Sequence, residues 1–142
     1  MDQIIDRPTE NTPNGKIYKD SGITLGTFLG GPLVAGYLMA ENFKKLGKEH
    51  LVSQTWIFTI IFSAGLIAIL LLIPDDINVP NMIFPIMEVL LVRYLFNLHQ
   101  KEDAETYVES GGEYYGWGRV VIISIIGFAL TIAAIFFTVL FF

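Results

Sequence analysis

Glu88 stands in an otherwise apolar stretch, with Asn81 seven positions before it and Arg93 five after it. A carboxyl group among residues such as Val89, Leu90 and Leu91 invites chemistry, because an ionisable group facing lipid costs several kcal/mol and must find a protein or water-filled environment. On one continuous helix, Asn81 and Glu88 lie about 20° apart and share a face, whereas Arg93 lies about 140° from Glu88 and cannot pair with it. Two roles suit Glu88. It binds a proton or small ion, or it is a protonated acid hydrogen-bonded to a Ser, Thr or backbone carbonyl of a neighbouring helix. Arg93, Asn97 and Gln100 are expected on a second face, where Arg93 snorkels to the nearer surface as an anchor or meets a substrate as a cation. Pro80 and Pro85 flank this region, and Pro85 is expected to free a carbonyl within the apolar layer.

Other chemical signals are sparse. Glu49-His50 and His99-x-x-Glu102 offer two ligands at a time and no third, so no metal site is expected. Cys is absent, which excludes disulfides, thiolate ligands and Cys nucleophiles. No nucleophile–base spacing and no nucleotide or cofactor motif is present, and the chain reads as a non-enzyme without a cofactor. A formal charge of −5 argues against nucleic acid as a partner.

The elements that must hold Glu88 are written in the charge pattern. Leu51–Pro74 and Val120–Phe142 are uncharged runs of 24 and 23 residues. As helices each measures roughly 35 Å, against about 30 Å for the hydrocarbon core of a bilayer. Hydrophobic residues make up 53% of the chain and charged ones 16%, well under the share of about 25% charged in ordinary soluble domains. The expectation is an all-α integral membrane bundle with helices over residues 23–40, 54–73, 79–98 and 120–142. Trp56 and the Tyr114-Tyr115-Gly116-Trp117 cluster mark interfaces. Residues 1–21 read as a polar tail rather than a secretory signal, since they hold no apolar core.

Segment 23–40 admits two forms. Gly30-Gly31-Pro32 sits at its middle, and Gly22, Gly26 and Gly30 repeat every four residues, a face suited to close helix packing within the chain or between copies. Four crossings put the loops carrying Lys44, Lys45, Lys48, Lys101 and Arg119 on the cytoplasmic side, and Arg7, Lys16 and Lys19 outside. Basic residues then flank segment 23–40 at both ends, against the usual asymmetry. A re-entrant hairpin broken at Gly30-Gly31-Pro32, with three crossings, is the alternative. Glu41 and Asn42 read as interfacial caps of this segment, and the acids from Glu102 to Glu113 as a solvated helix end or a docking surface.

The run Thr27-Phe28-Leu29-Gly30-Gly31-Pro32-Leu33-Val34-Ala35-Gly36-Tyr37, with Asn42 and Leu46-Gly47, resembles the opening helix of small uncharacterised bacterial membrane proteins. The resemblance covers about a fifth of the chain and implies a bacterial inner-membrane location, with no activity attached. The functional expectation is therefore an oligomerising or accessory membrane component, partnered by the bilayer and by copies of itself or another membrane protein. The alternative is a minimal ion or small-solute conduit built on Glu88.

Overall fold

The computed structural model describes residues 15–142. Helices dominate it: α1 (Asp20–Gly30), α2 (Pro32–Lys45), α3 (His50–Leu72), α4 (Ile83–His99), α5 (Lys101–Glu109) and α6 (Trp117–Phe141). Two short strands, β1 (Lys16–Ile17) and β2 (Glu113–Tyr114), pair in parallel, and the Tyr115 amide extends the pairing to the Ile17 carbonyl at 2.8 Å.

Segment 23–40 is not one helix. At Gly31 the backbone takes φ 79 and ψ −167, a conformation that costs a residue with a Cβ. Pro32 then begins α2, where its missing amide hydrogen removes no helical bond. The second arm folds back along the first, so Tyr18, just before α1, meets Asn42 near the end of α2. The Tyr18 amide donates to Asn42 Oδ1 at 2.7 Å, and Asn42 Nδ2 donates to the Tyr18 carbonyl at 2.8 Å. The glycine ladder lies where these arms and α6 converge. A Cβ on Gly26 would stand 2.8 Å from Leu38 Cδ1 and 3.5 Å from Val120 Cγ1, and one on Gly30 would stand 3.0 Å from the Ser124 carbonyl oxygen. Val34, Leu38 and Val120 are buried at this junction.

The 11 residues of α1 rise only about 16 Å, about half the thickness of a bilayer core. In contrast, α3 and α6 are long and apolar enough to cross a membrane, with 23 and 25 residues. Of their most apolar stretches only 6% and 17% are buried, so these helices leave apolar side chains uncovered on most sides. The core of a soluble domain would cover such helices.

Hydroxyl groups on these helices bond inward. Thr27, Thr55, Thr59, Ser124, Thr131 and Thr138 each donate to the carbonyl four residues earlier, at 2.7–2.9 Å. That arrangement satisfies a hydroxyl without water.

The polar tail expected over residues 1–21 ends sooner. Ile17 and Tyr18 are fully buried parts of the fold, while residues 1–14, Arg7 among them, lie outside the described region. Segment 79–98 begins its helix later, at Ile83, which leaves Asn81 and Pro80 in the preceding turn. Pro85 falls in the first turn of α4, where the amide it lacks has no helical partner to lose, so it frees no carbonyl.

Two glycines give an internal comparison. A Cβ on Gly36 would lie 2.8 Å from Thr59 Cβ on α3, whereas nothing lies within 4 Å of one on Gly65. Gly36→Ala is expected to lower stability by about 1–3 kcal/mol through overpacking, and Gly65→Ala to be neutral or stabilising by up to about 1 kcal/mol. Thermal unfolding of the detergent-solubilised protein, followed by Trp56 and Trp117 fluorescence, checks this. Equal effects at the two positions would contradict the close α2–α3 contact.

Candidate functional site

The turn of the hairpin ends in a chamber. Gly30, Gly31, Pro32 and Leu33 form one wall of a cavity of about 970 Å³, which α3, α4 and α6 complete and which reaches the 74–81 turn. Glu88 and Ser63 line this cavity together with Asn81 and Thr131.

Glu88 is held there by the register of α4. It shares the buried side of that helix with Val92 and Phe96, four and eight residues on. Only 7% of it is exposed, and its carboxylate finds no hydrogen bond or ion pair among the described residues. Ser63 differs from the inward-bonding hydroxyls, since its Oγ is buried and unpaired among the described residues. Buried polar groups are nearly always satisfied. One wall thus presents a hydroxyl and the other a carboxylate, each with bonding capacity left over for water or a ligand.

A second, smaller cavity of about 40 Å³ lies against Glu88 on the side away from that turn, between α2, α3 and α4. Pro32 and Glu88 border both spaces. Beyond the smaller one, Phe58 and Leu95 border a recess of about 210 Å³ lined also by Gln54, Thr55 and His99.

No family model, curated protein or solved structure matches this chain.

Glu88 and Asn81 do share a site, as walls of one chamber rather than as one face of a helix. Arg93 is elsewhere. Its Nε lies 3.6 Å from Asp20 Oδ2 at a largely exposed position, in a separate groove with Thr24, Phe28 and Trp117. Gln100 also leaves the face it was expected to share with Arg93 and Asn97. It is fully buried just past the end of α4, accepting from Asn42 Nδ2 at 3.1 Å and donating to the Met39 carbonyl at 2.9 Å. Gly22, Gly26 and Gly30 serve the packing of α1 on α2 and α6, and Gly30 alone of the three reaches the chamber.

Asn42 is the residue that sequence reasoning undervalued. Rather than an exposed cap, it is a fully buried clasp joining three parts of the chain. Its register was the available signal, because Asn42 falls four residues after Leu38 and seven after Ala35, on the buried stripe of α2. Beside it, the Tyr18 hydroxyl accepts from Arg119 Nε at 2.8 Å, and Arg119 stacks over the Tyr115 ring at 4.5 Å. Burial pushes the Tyr18 hydroxyl above its ordinary pKa, and Arg119 partly offsets that. His50, His99 and their acidic neighbours form no cluster of three metal-binding side chains among the described residues.

The chamber wall can be probed in a chain that contains no cysteine. Thr131→Cys, in the chamber, is expected to react with a charged methanethiosulfonate reagent about tenfold faster than Phe137→Cys on the exposed side of α6, because a thiol must ionise in water to react. Measured in lipid nanodiscs, equal rates would mean that the chamber is dry.

Proposed function

We propose that this chain is a multipass integral membrane protein without enzymatic activity, with three crossings (α3, α4 and α6) and a re-entrant hairpin (α1 and α2). Within it Glu88 takes up a proton or small cation from the face that carries the 74–81 turn. The observation that carries the reading is the unpaired, nine-tenths buried Glu88 at the base of a chamber bordered by the hairpin turn. An intramembrane carboxylate that faces a cavity, rather than lipid or a counter-charge, is a common mark of an ion or proton site.

The distribution of basic residues supports three crossings over four. With the hairpin returning to its own side, Lys16, Lys19, Lys44, Lys45, Lys48, Lys101 and Arg119 all gather at one face. The opposite turn, residues 74–81, has Asp75 and Asp76 and no Lys or Arg. By the positive-inside rule the basic face is cytoplasmic. The resemblance over residues 27–37 favours the bacterial cytoplasmic membrane as the host. Bilayer lipid is then the partner of the uncovered sides of α3 and α6.

A hydrophobic carbodiimide, which reacts with protonated carboxyl groups in apolar surroundings, tests the reading. Treatment of the protein in native membranes, followed by peptide mass spectrometry, is expected to modify Glu88 ahead of every other acid and to leave Glu88→Gln unmodified. Failure to modify Glu88 while surface acids react would overturn the site and leave an accessory, oligomerising role.

A further inference from the structure

The three spaces around Glu88 follow one another across the molecule. The 970 Å³ chamber reaches the 74–81 turn, the 40 Å³ cavity sits behind Glu88, and the 210 Å³ recess lies at the end where α3 begins and α4 finishes. Glu88 borders the first and second, while Phe58 and Leu95 border the second and third. We propose that this series is a proton path, in which Glu88 is the relay between two half-channels and the Phe58–Leu95 pair is its gate. The inference rests on the reading of Glu88 as the chamber's binding group, and adds the species carried and the route onward.

The size of the middle space selects the species. About 40 Å³ holds at most three or four waters, since a single water needs roughly 10–15 Å³ of such volume and two or more polar partners. Glu88 supplies one partner. Thr59 supplies another, because its hydroxyl already donates to the Thr55 carbonyl and keeps a lone pair to accept with. A metal cation losing its hydration shell needs a ring of oxygens in exchange, and the remaining wall is apolar: Pro32, Ala35, Phe62, Leu91 and Val92. A proton needs no such ring.

In the step itself, a hydronium in the chamber gives its proton to the Glu88 carboxylate, leaving a water behind. The resulting carboxylic acid then protonates the water beside Thr59, which restores the carboxylate. Nothing is consumed. From there the proton must pass Phe58 and Leu95, a hydrophobic constriction that stays closed while it excludes water.

The charged and titratable groups along the route are few. Those facing Glu88 across the chamber come down to Asp75 at its outer mouth, and His99 lines the recess at the other end. From α2, α3 and α6 the lining residues named for the chamber and the middle cavity are uncharged. Arg93 and Asp20 face a different groove and take no part.

The test reconstitutes the full chain into liposomes with a trapped pH dye and imposes a potassium-diffusion potential. Leu95→Ala and, independently, Phe58→Ala are expected to raise proton entry roughly tenfold by letting water into the constriction. Adding Glu88→Gln to either is expected to return entry to that of empty liposomes, and Glu88→Asp to retain part of it. Sodium entry, read with a sodium dye, is expected to stay at the empty-liposome rate throughout. Phe58 is half exposed, so its truncation keeps the test alive if Leu95→Ala fails to fold. Proton entry unchanged in both gate variants would overturn the path, and carbodiimide modification of Glu88 would still show whether the binding site stands. Entry that survives Glu88→Gln, or sodium entry equal to proton entry, would overturn the relay.

Discussion

One side-chain amide holds the architecture together. Asn42 accepts from the Tyr18 amide and donates to the Tyr18 carbonyl, so the chain two residues before α1 and the last turns of α2 are tied as two paired strands would be. Its remaining amide hydrogen goes to Gln100, which reaches on to the Met39 carbonyl and brings in the end of α4. All three residues are buried, and leaving one such buried donor or acceptor without its partner costs about 1–3 kcal/mol. The clasp therefore opposes unfolding of α1 and α2 into one long helix. It also fixes the level of the hairpin turn, and with it the depth of the chamber beyond.

From that constraint the candidate site follows. Gly31 and Pro32 reverse the chain where the glycine ladder allows α1, α2 and α6 to approach closely. Because α1 and α2 stop short, the far parts of α3, α4 and α6 stand around an open cleft instead of packing against further helix. Glu88 is placed on the α4 face that looks into this space, without a counter-charge to neutralise it. Ser63 is left unpaired on the same wall. A packed core at this level would have no reason to keep either group. Water admitted to this space would supply bonds to both.

The sequence made the helical nature of the chain plain, and its two most apolar helices fell within a few residues of their observed positions. Charge-free runs of more than 20 residues impose that reading almost without regard to context. It also singled out Glu88 and the break at Gly30-Gly31-Pro32. The direction in which the chain leaves that break was not legible, because Gly31 permits both a kink and a reversal, and the bonds that decide between them join residues 24 positions apart. Basic residues at both ends of segment 23–40 were the trace of the reversal. Asn81 and Arg93 were placed by extrapolating one ideal helix. Asn81 lies before α4 begins, and Arg93 turned to Asp20 on a neighbouring helix, a pairing that helical periodicity alone does not encode. The cavities beside Glu88 depend on where three other helices end, and no local pattern records that.

The re-entrant hairpin proposed for α1 and α2 requires the first apolar segment to enter and leave by the same face. Single cysteines at Lys16, Lys45 and Asn78, labelled in sealed vesicles with a membrane-impermeant maleimide before and after permeabilisation, test it most directly. With a re-entrant hairpin, Lys16→Cys and Lys45→Cys label together from one side and Asn78→Cys from the other. Labelling of Lys16→Cys and Lys45→Cys from opposite sides would contradict it, since the segment would then cross the membrane as a single span.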